Sequence, residues 1–65
     1  MARLPLLKPE TLVQALEKFG WRIAGRGSHI IMVKEGHIAT LSIPNQPVIS
    51  RGALRRLLHH AGFKL

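Results

Sequence analysis

The tripeptide Gly27-Ser28-His29 carries the side chain best suited to acid–base chemistry in this sequence. An imidazole titrates near neutral pH, so His29 can accept or donate a proton under physiological conditions. In RNA cleavage a base removes the 2′-hydroxyl proton, an acid protonates the leaving 5′-oxygen, and cations stabilise the charge on the phosphorane. His29 could perform either proton transfer, and the nearby Arg26 could stabilise phosphate charge. By residue type alone, a single histidine on a strand is more often structural or simply exposed.

The overall charge indicates a polyanionic partner. Ten Lys and Arg residues against three acidic residues give a formal net charge of +7 on 65 residues. Such a field attracts nucleic acid through neutralisation of phosphates and release of counterions. A hydrophobic fraction of 46% is too high for a disordered basic tail. An acidic protein partner or a merely soluble basic domain also fits this composition.

A second group of basic residues lies near the C-terminus on a predicted helix. Arg51, Arg55 and His59 recur at four-residue spacing, and Arg56 and His60 lie alongside them with no acidic residue. Residues four apart share one helix face, so this face could contact phosphates along an RNA strand. The alternative is an ordinary solvated helix face.

Hydrophobic periodicity predicts two helices. The first covers about residues 9–19 and ends at Gly20, where a left-handed residue is favoured. The second begins after Ser50, a favourable N-cap, and ends at Gly62. The predicted apolar positions of the two helices are Leu12, Leu16 and Phe19 in the first and Leu54, Leu57, Leu58 and Ala61 in the second.

Three runs of β-forming residues lie between the helices, at 21–26, 29–34 and 38–43, followed by a loop over 44–49. Their short connections favour an antiparallel meander. Two amphipathic helices on one face of such a sheet give a two-layer α+β fold of order α-β-β-β-α. Trp21 alternates with Ile23, which favours core packing over base stacking for the indole. The other sheet face should expose side chains of the second strand. If His29 reaches substrate these are Ile31 or Val33, and the alternative is that Ile30 and Met32 are the exposed pair.

The chain is expected to form a single domain over residues 1–65, with residues 1–8 as an extended arm. It has no cysteine and no apolar run long enough to span a membrane, so we expect a cytoplasmic protein without a membrane association. The histidines lack metal-ligand spacing, and no metal site is predicted.

The order and spacing of these motifs resemble the HicA toxin family of type II toxin–antitoxin systems. The family pattern runs from a leading Leu-Pro through Gly-Ser-His and an aliphatic-Pro pair to a C-terminal helix ending in Ala-Gly. The matching residues are Leu4, Pro5, Leu12, Ala15, Leu16, Glu17, Gly20, Trp21, Gly27, Ser28, His29, Ile43, Pro44, Gly52, Leu54, Arg55, Leu58, Ala61 and Gly62.

The resemblance implies a double-stranded-RNA-binding-domain-like fold and a ribosome-independent mRNA interferase that needs no metal or other cofactor. It assigns His29 as the catalytic residue, mRNA as the substrate and a HicB-type antitoxin as the protein partner. The sequence departs from the family at Gln46, where a second histidine often stands, and at Arg26, which is displaced relative to the usual arginine. Glutamine can bind RNA but cannot exchange protons, so the alternative is an RNA-binding or antitoxin-binding homologue with weakened or lost nuclease activity.

His29 is the one catalytic candidate, and a larger set of residues are candidate RNA contacts. The RNA-binding candidates are Arg26, Ser28, Lys34, Gln46, Arg51 and Arg55.

Overall fold

The computed structural model describes residues 6–63, which form two helices and a three-stranded antiparallel sheet. The elements are α1 (Pro9–Glu17), β1 (Trp21–Gly25), β2 (His29–Lys34), β3 (Leu41–Pro44) and α2 (Arg51–His60). The strands lie in the order β1-β2-β3, so β2 is central. The predicted α+β class and element order are therefore confirmed. Residues 1–5 of the predicted arm lie outside the described residues.

The central strand divides its side chains between two faces of the sheet. Ile30 and Met32 are fully buried and pair with Ile43 and Leu41 of β3. Both helices pack on this face, which we call the covered face. Its core is made of Leu12, Val13, Leu16, Trp21, Ile30, Met32, Leu41, Ile43, Ile49, Leu54 and Leu57. The core position predicted for Trp21 is confirmed.

The opposite side of the sheet, which we call the open face, carries the side chains of β2 that alternate with the buried ones. Ile31 and Val33 are only partly buried there, and His29 is exposed at the start of the strand. Val33 pairs with Arg22 of β1, and Ile31 with Ser42 of β3. The prediction that Ile31 and Val33 lie near solvent on the side of His29 is confirmed.

The helix ends are fixed by local capping. Pro9 occupies the first turn of α1, where its missing N–H is not needed. The Ser50 side chain accepts a hydrogen bond from the Ala53 N–H at 3.2 Å, as predicted for the N-cap of α2. Gly20 and Gly62 follow the two helices with φ of +94° and +96°, the left-handed region that favours glycine.

The predicted apolar stripe of α1 is wrong at Phe19. The helix ends at Glu17, and the turn that follows carries Phe19 away from the core, so its side chain is 56% exposed. Its ring packs edge-on against Phe63 beyond α2, with the ring centroids 5.1 Å apart. Phe19 therefore packs against the segment after α2 at the edge of the domain.

The predicted third strand is also wrong at its start. The strand begins at Leu41, and Ile38 is fully exposed in the loop that precedes it. A turn does form at Lys34, whose carbonyl accepts the His37 N–H at 3.0 Å, but strand pairing resumes only at Leu41 opposite Met32. The His37 ring explains this wide loop, because its Nε2 donates to the carbonyl of His60 at 3.0 Å and fastens the loop to the end of α2.

The two faces of β2 predict different responses to the same substitution at neighbouring isoleucines. Ile30→Glu places a carboxylate in the core, at a cost of several kcal/mol, comparable with the roughly 3–5 kcal/mol that a core of this size supplies. Ile31→Glu adds a charge at a partly exposed position and is expected to remain folded. Thermal melting followed by circular dichroism measures both variants, and equal loss of structure in the two would contradict the assignment of faces.

Candidate active site and nucleic-acid interface

His29 lies at the exposed beginning of β2, on the open face. Its partner across the ladder is Pro44, the last residue of β3. The next pair outward is joined by a hydrogen bond from the Asn45 N–H to the Ser28 carbonyl at 3.1 Å. Because hydrogen-bonded and non-hydrogen-bonded pairs alternate in an antiparallel ladder, His29 and Pro44 form a non-hydrogen-bonded pair. Pro44 therefore costs the ladder no donor, and the backbone of His29 is held by regular structure.

The segment before His29 is a turn held from β3. Asn45 donates from its backbone N–H to Ser28 and from its Nδ2 to the Gly27 carbonyl, both at 3.1 Å. The Ser28 hydroxyl lies 3.4 Å from Nδ1 of His29, at the long limit of a hydrogen bond. Asn45 is not among the site residues predicted from the sequence. Its position directly after a strand-ending proline was the available signal.

Arg26 is engaged in an ion pair. Its Nη1 lies 2.9 Å from Oε1 of Glu10, and its Nη2 lies 3.5 Å from Oε2. The hydrogen bond and the charge of Arg26 lower the pKa of Glu10, and the same contact raises the pKa of Arg26. Both side chains are about half exposed, so the pair adds little stability. Arg26 thus lies beside the Gly27–His29 turn, and the Glu10 carboxylate occupies the edge of its guanidinium group that a phosphate would bind.

Lys34 is not brought to His29. It ends the strand that His29 begins, which places it about 17 Å along β2 at roughly 3.4 Å per residue. Because side chains alternate along β2, Lys34 lies on the covered face, and its Cε lies close to Gly20 after α1. Any RNA contact made by Lys34 therefore lies well away from His29.

The remaining candidates lie on the chain that leaves β3. Gln46 is exposed in the loop after Pro44, at the same end of the ladder as His29. Arg51 begins α2, and Arg55 lies about one turn further along it. The predicted basic face of α2 is exposed throughout, and its members are Arg51, Arg55, Arg56, His59 and His60.

Two further features concern residues 6–63 as a whole. No group of three or more histidine or acidic side chains within them is arranged to hold a metal ion. Within the same range, neither helix has the length and hydropathy needed to cross a bilayer.

Comparison with protein families gives a match over most of the chain. A family model described as the HicA toxin of bacterial toxin–antitoxin systems matches residues 9–63. This chain belongs to the HicA toxin family. The match spans both helices and all three strands, so the family resemblance extends over the whole described fold. No curated protein and no solved structure matches the chain.

Membership of the HicA family makes this protein the toxin of a toxin–antitoxin system and implies an antitoxin as its partner. Every matching residue named for the sequence resemblance lies within residues 9–63 except the leading Leu4 and Pro5. Those two lie outside the described residues, so the resemblance depends on the elements from α1 onward.

The ion pair beside the turn predicts an acid titration shift. Because Arg26 lowers the pKa of Glu10, Arg26→Ala should return that pKa towards its ordinary value. A folded-state pKa below the unfolded value means that the small stabilisation is present at neutral pH and is lost as the pH falls through the folded-state pKa. Carboxyl ¹³C NMR titration measures this shift. Arg22→Ala, an exposed arginine on the open face, is the matched control, and an unchanged pKa in Arg26→Ala would refute the pairing.

Proposed function

We propose that this HicA-family toxin is a metal-independent endoribonuclease that cleaves mRNA without the ribosome, with His29 as its general acid or base. The observation that carries the proposal is the position of His29. Its side chain is exposed on the open face, while its backbone belongs to the paired end of β2 and β3. An imidazole that is both accessible and fixed by a strand meets the geometric requirement for proton transfer to a bound substrate.

The proposed reaction is an in-line attack of the 2′-hydroxyl on the adjacent phosphorus. The 2′-oxygen loses its proton as the new P–O bond forms, and the leaving 5′-oxygen gains a proton as the old P–O bond breaks. His29 performs one of these transfers. Gln46 lies where many relatives carry a second histidine, and its amide can hydrogen-bond the phosphate but cannot exchange protons, so water performs the other transfer.

Substrate binding is assigned to cationic and polar groups around this site. The basic face of α2 is exposed and has no acidic residue in its first turn. Arg51 lies at the start of α2, where its positive charge adds to the positive end of the helix dipole. A polyanion near this end of the helix interacts favourably with the Arg51 charge and with the dipole. The proposed RNA contacts are Arg26, Ser28, Lys34, Gln46, Arg51 and Arg55, of which Lys34 lies furthest from His29 along β2.

The second candidate function is an RNA-binding or antitoxin-binding protein that has lost cleavage. Gln46 in place of a proton-exchanging side chain is the observation that favours it. The two functions differ in whether the integrity of RNA depends on His29, so one substitution separates them.

His29→Ala is expected to abolish RNA cleavage and growth arrest while RNA affinity is largely retained. A correctly placed general acid or base contributes about 10²- to 10⁴-fold to the rate, whereas RNA binding is assigned to the cationic and polar groups around the site. Purified wild-type and variant proteins are incubated with RNA in the presence of a chelator, and the fragments are quantified. Equal cleavage by the two proteins would remove the catalytic assignment, and absence of cleavage by both with intact binding would favour the second candidate.

Arg55→Ala is the matched binding variant for that experiment. Loss of one phosphate contact should weaken RNA binding and lower the slope of log K against log salt by about 1. Arg55 is exposed on α2, so its truncation leaves the core intact. An affinity that does not depend on salt would contradict binding through phosphates.

The antitoxin, of HicB type, is proposed to dock on the open face. Ile31 and Val33 leave apolar surface there that no element between residues 6 and 63 covers, and His29 lies at the edge of the same surface. An acidic partner would also be attracted by the net charge of +7. Docking at this place inhibits the toxin by covering His29, without a conformational change.

Ile31→Glu should therefore weaken antitoxin binding more than it destabilises the fold. The new carboxylate meets an apolar and acidic partner surface, whereas in the free toxin it reaches water. A pull-down with the antitoxin, beside a melting curve, measures the two effects, and Thr40→Glu at the exposed loop before β3 is the charge-matched control. Full binding by folded Ile31→Glu would place the antitoxin elsewhere.

A further inference from the structure

We propose that Asn45 is a positioning residue for His29, acting through the turn that leads into β2. The inference rests on the proposed function of His29. Asn45 makes two hydrogen bonds to consecutive carbonyl groups, from its N–H to Ser28 and from its Nδ2 to Gly27, each 3.1 Å long. One side chain and its own backbone thereby fix both peptide groups that precede the catalytic histidine.

The segment that leads from β1 into this turn needs such a brace because it contains two glycines with no conformational reason to be glycine, one at the end of β1 and one in the turn. Gly25 and Gly27 have no left-handed φ, and a Cβ added to either would meet nothing within 4 Å. Glycine at such positions makes the segment more flexible in both the unfolded and the folded state, and it relieves no backbone strain. What glycine does provide is a surface without side chains beside His29, over which a nucleic-acid backbone can approach closely.

The contacts that restrain the turn come from two sides. On one side Arg26 is tied to Glu10 by an exposed ion pair, which is weak and would compete with any phosphate that Arg26 binds. On the other side Asn45 is neutral and points its donor at a backbone carbonyl, so substrate binding does not compete with it. Asn45 is thus the restraint that persists when RNA is bound.

The hydrogen bond to the Gly27 carbonyl requires a donor on the side chain of residue 45. Asn45→Ala removes Nδ2, and Asn45→Asp keeps the shape of the side chain but turns an acceptor towards the Gly27 carbonyl. Both variants retain the backbone N–H that bonds Ser28, so the strand ladder persists. Because a misplacement of about 1 Å can cost about 100-fold in rate, each variant is expected to lower kcat at least about tenfold.

The test compares wild type, Asn45→Ala, Asn45→Asp, His29→Ala and the control Thr40→Ala for kcat, KM, RNA affinity and melting temperature. The expected result is a fall in kcat for both Asn45 variants, with KM and RNA affinity within about twofold of wild type and little change in melting. Thr40 is exposed in the loop just before β3, at the end of that strand remote from His29, and its truncation should leave kcat unchanged. Wild-type kcat in either Asn45 variant, or a loss that appears in KM and affinity instead, would overturn the proposal.

Failure of this inference is distinct from failure of the proposed function. If His29→Ala is inactive and Asn45→Ala is fully active, Asn45 has no positioning role and His29 keeps its assignment. If His29→Ala cleaves as well as wild type, the proposed function itself fails. Amide hydrogen exchange at residue 45, whose N–H donates to the Ser28 carbonyl, reports the brace independently of cleavage: faster exchange in Asn45→Ala is expected, and unchanged exchange would overturn the brace.

Discussion

The register between β2 and β3 determines which side chains this protein buries and which it exposes to solvent. Ile30 opposite Ile43 places aliphatic side chains under the helices, and His29 opposite Pro44 places an imidazole on the other side. A slip of one residue would exchange the two faces, because side chains alternate along a strand. It would bury His29 and expose Met32. The apolar core and the candidate catalytic group are therefore fixed by the same set of backbone hydrogen bonds.

Both helices lie on one side of the sheet, and nothing in the part of the chain that the structure describes covers the other side. In most monomeric proteins an apolar patch of this kind is limited in size or has a partner. Here the open face joins partly exposed Ile31 and Val33 to His29. Substrate access and antitoxin docking consequently share one surface in our account. A toxin built in this way can be silenced by occlusion alone.

Local patterns in the sequence predicted the features that local physics controls. The bounds of β2, the Ser50 cap and the burial of Trp21 follow from alternation, side-chain capping and hydrophobicity within a few residues. The features that were missed depend on distant contacts. Glu10 and Arg26 are sixteen positions apart, and Ile38 is in a loop rather than a strand because His37 is bonded to the end of α2. The exposure of Phe19 follows from a helix that ends at Glu17, two residues earlier than its apolar periodicity suggests.

The chemical identity of the cleaved RNA ends tests the central claim most directly. If His29 serves an in-line attack by the 2′-hydroxyl, fragments produced in chelator carry a 2′,3′-cyclic phosphate and a 5′-hydroxyl. Mass spectrometry of the fragments distinguishes these ends, and 5′-end labelling without prior phosphatase treatment confirms the free hydroxyl. Fragments with 5′-phosphate and 3′-hydroxyl ends would show that an activated water, and not the 2′-oxygen, attacks the phosphorus, and would contradict the account.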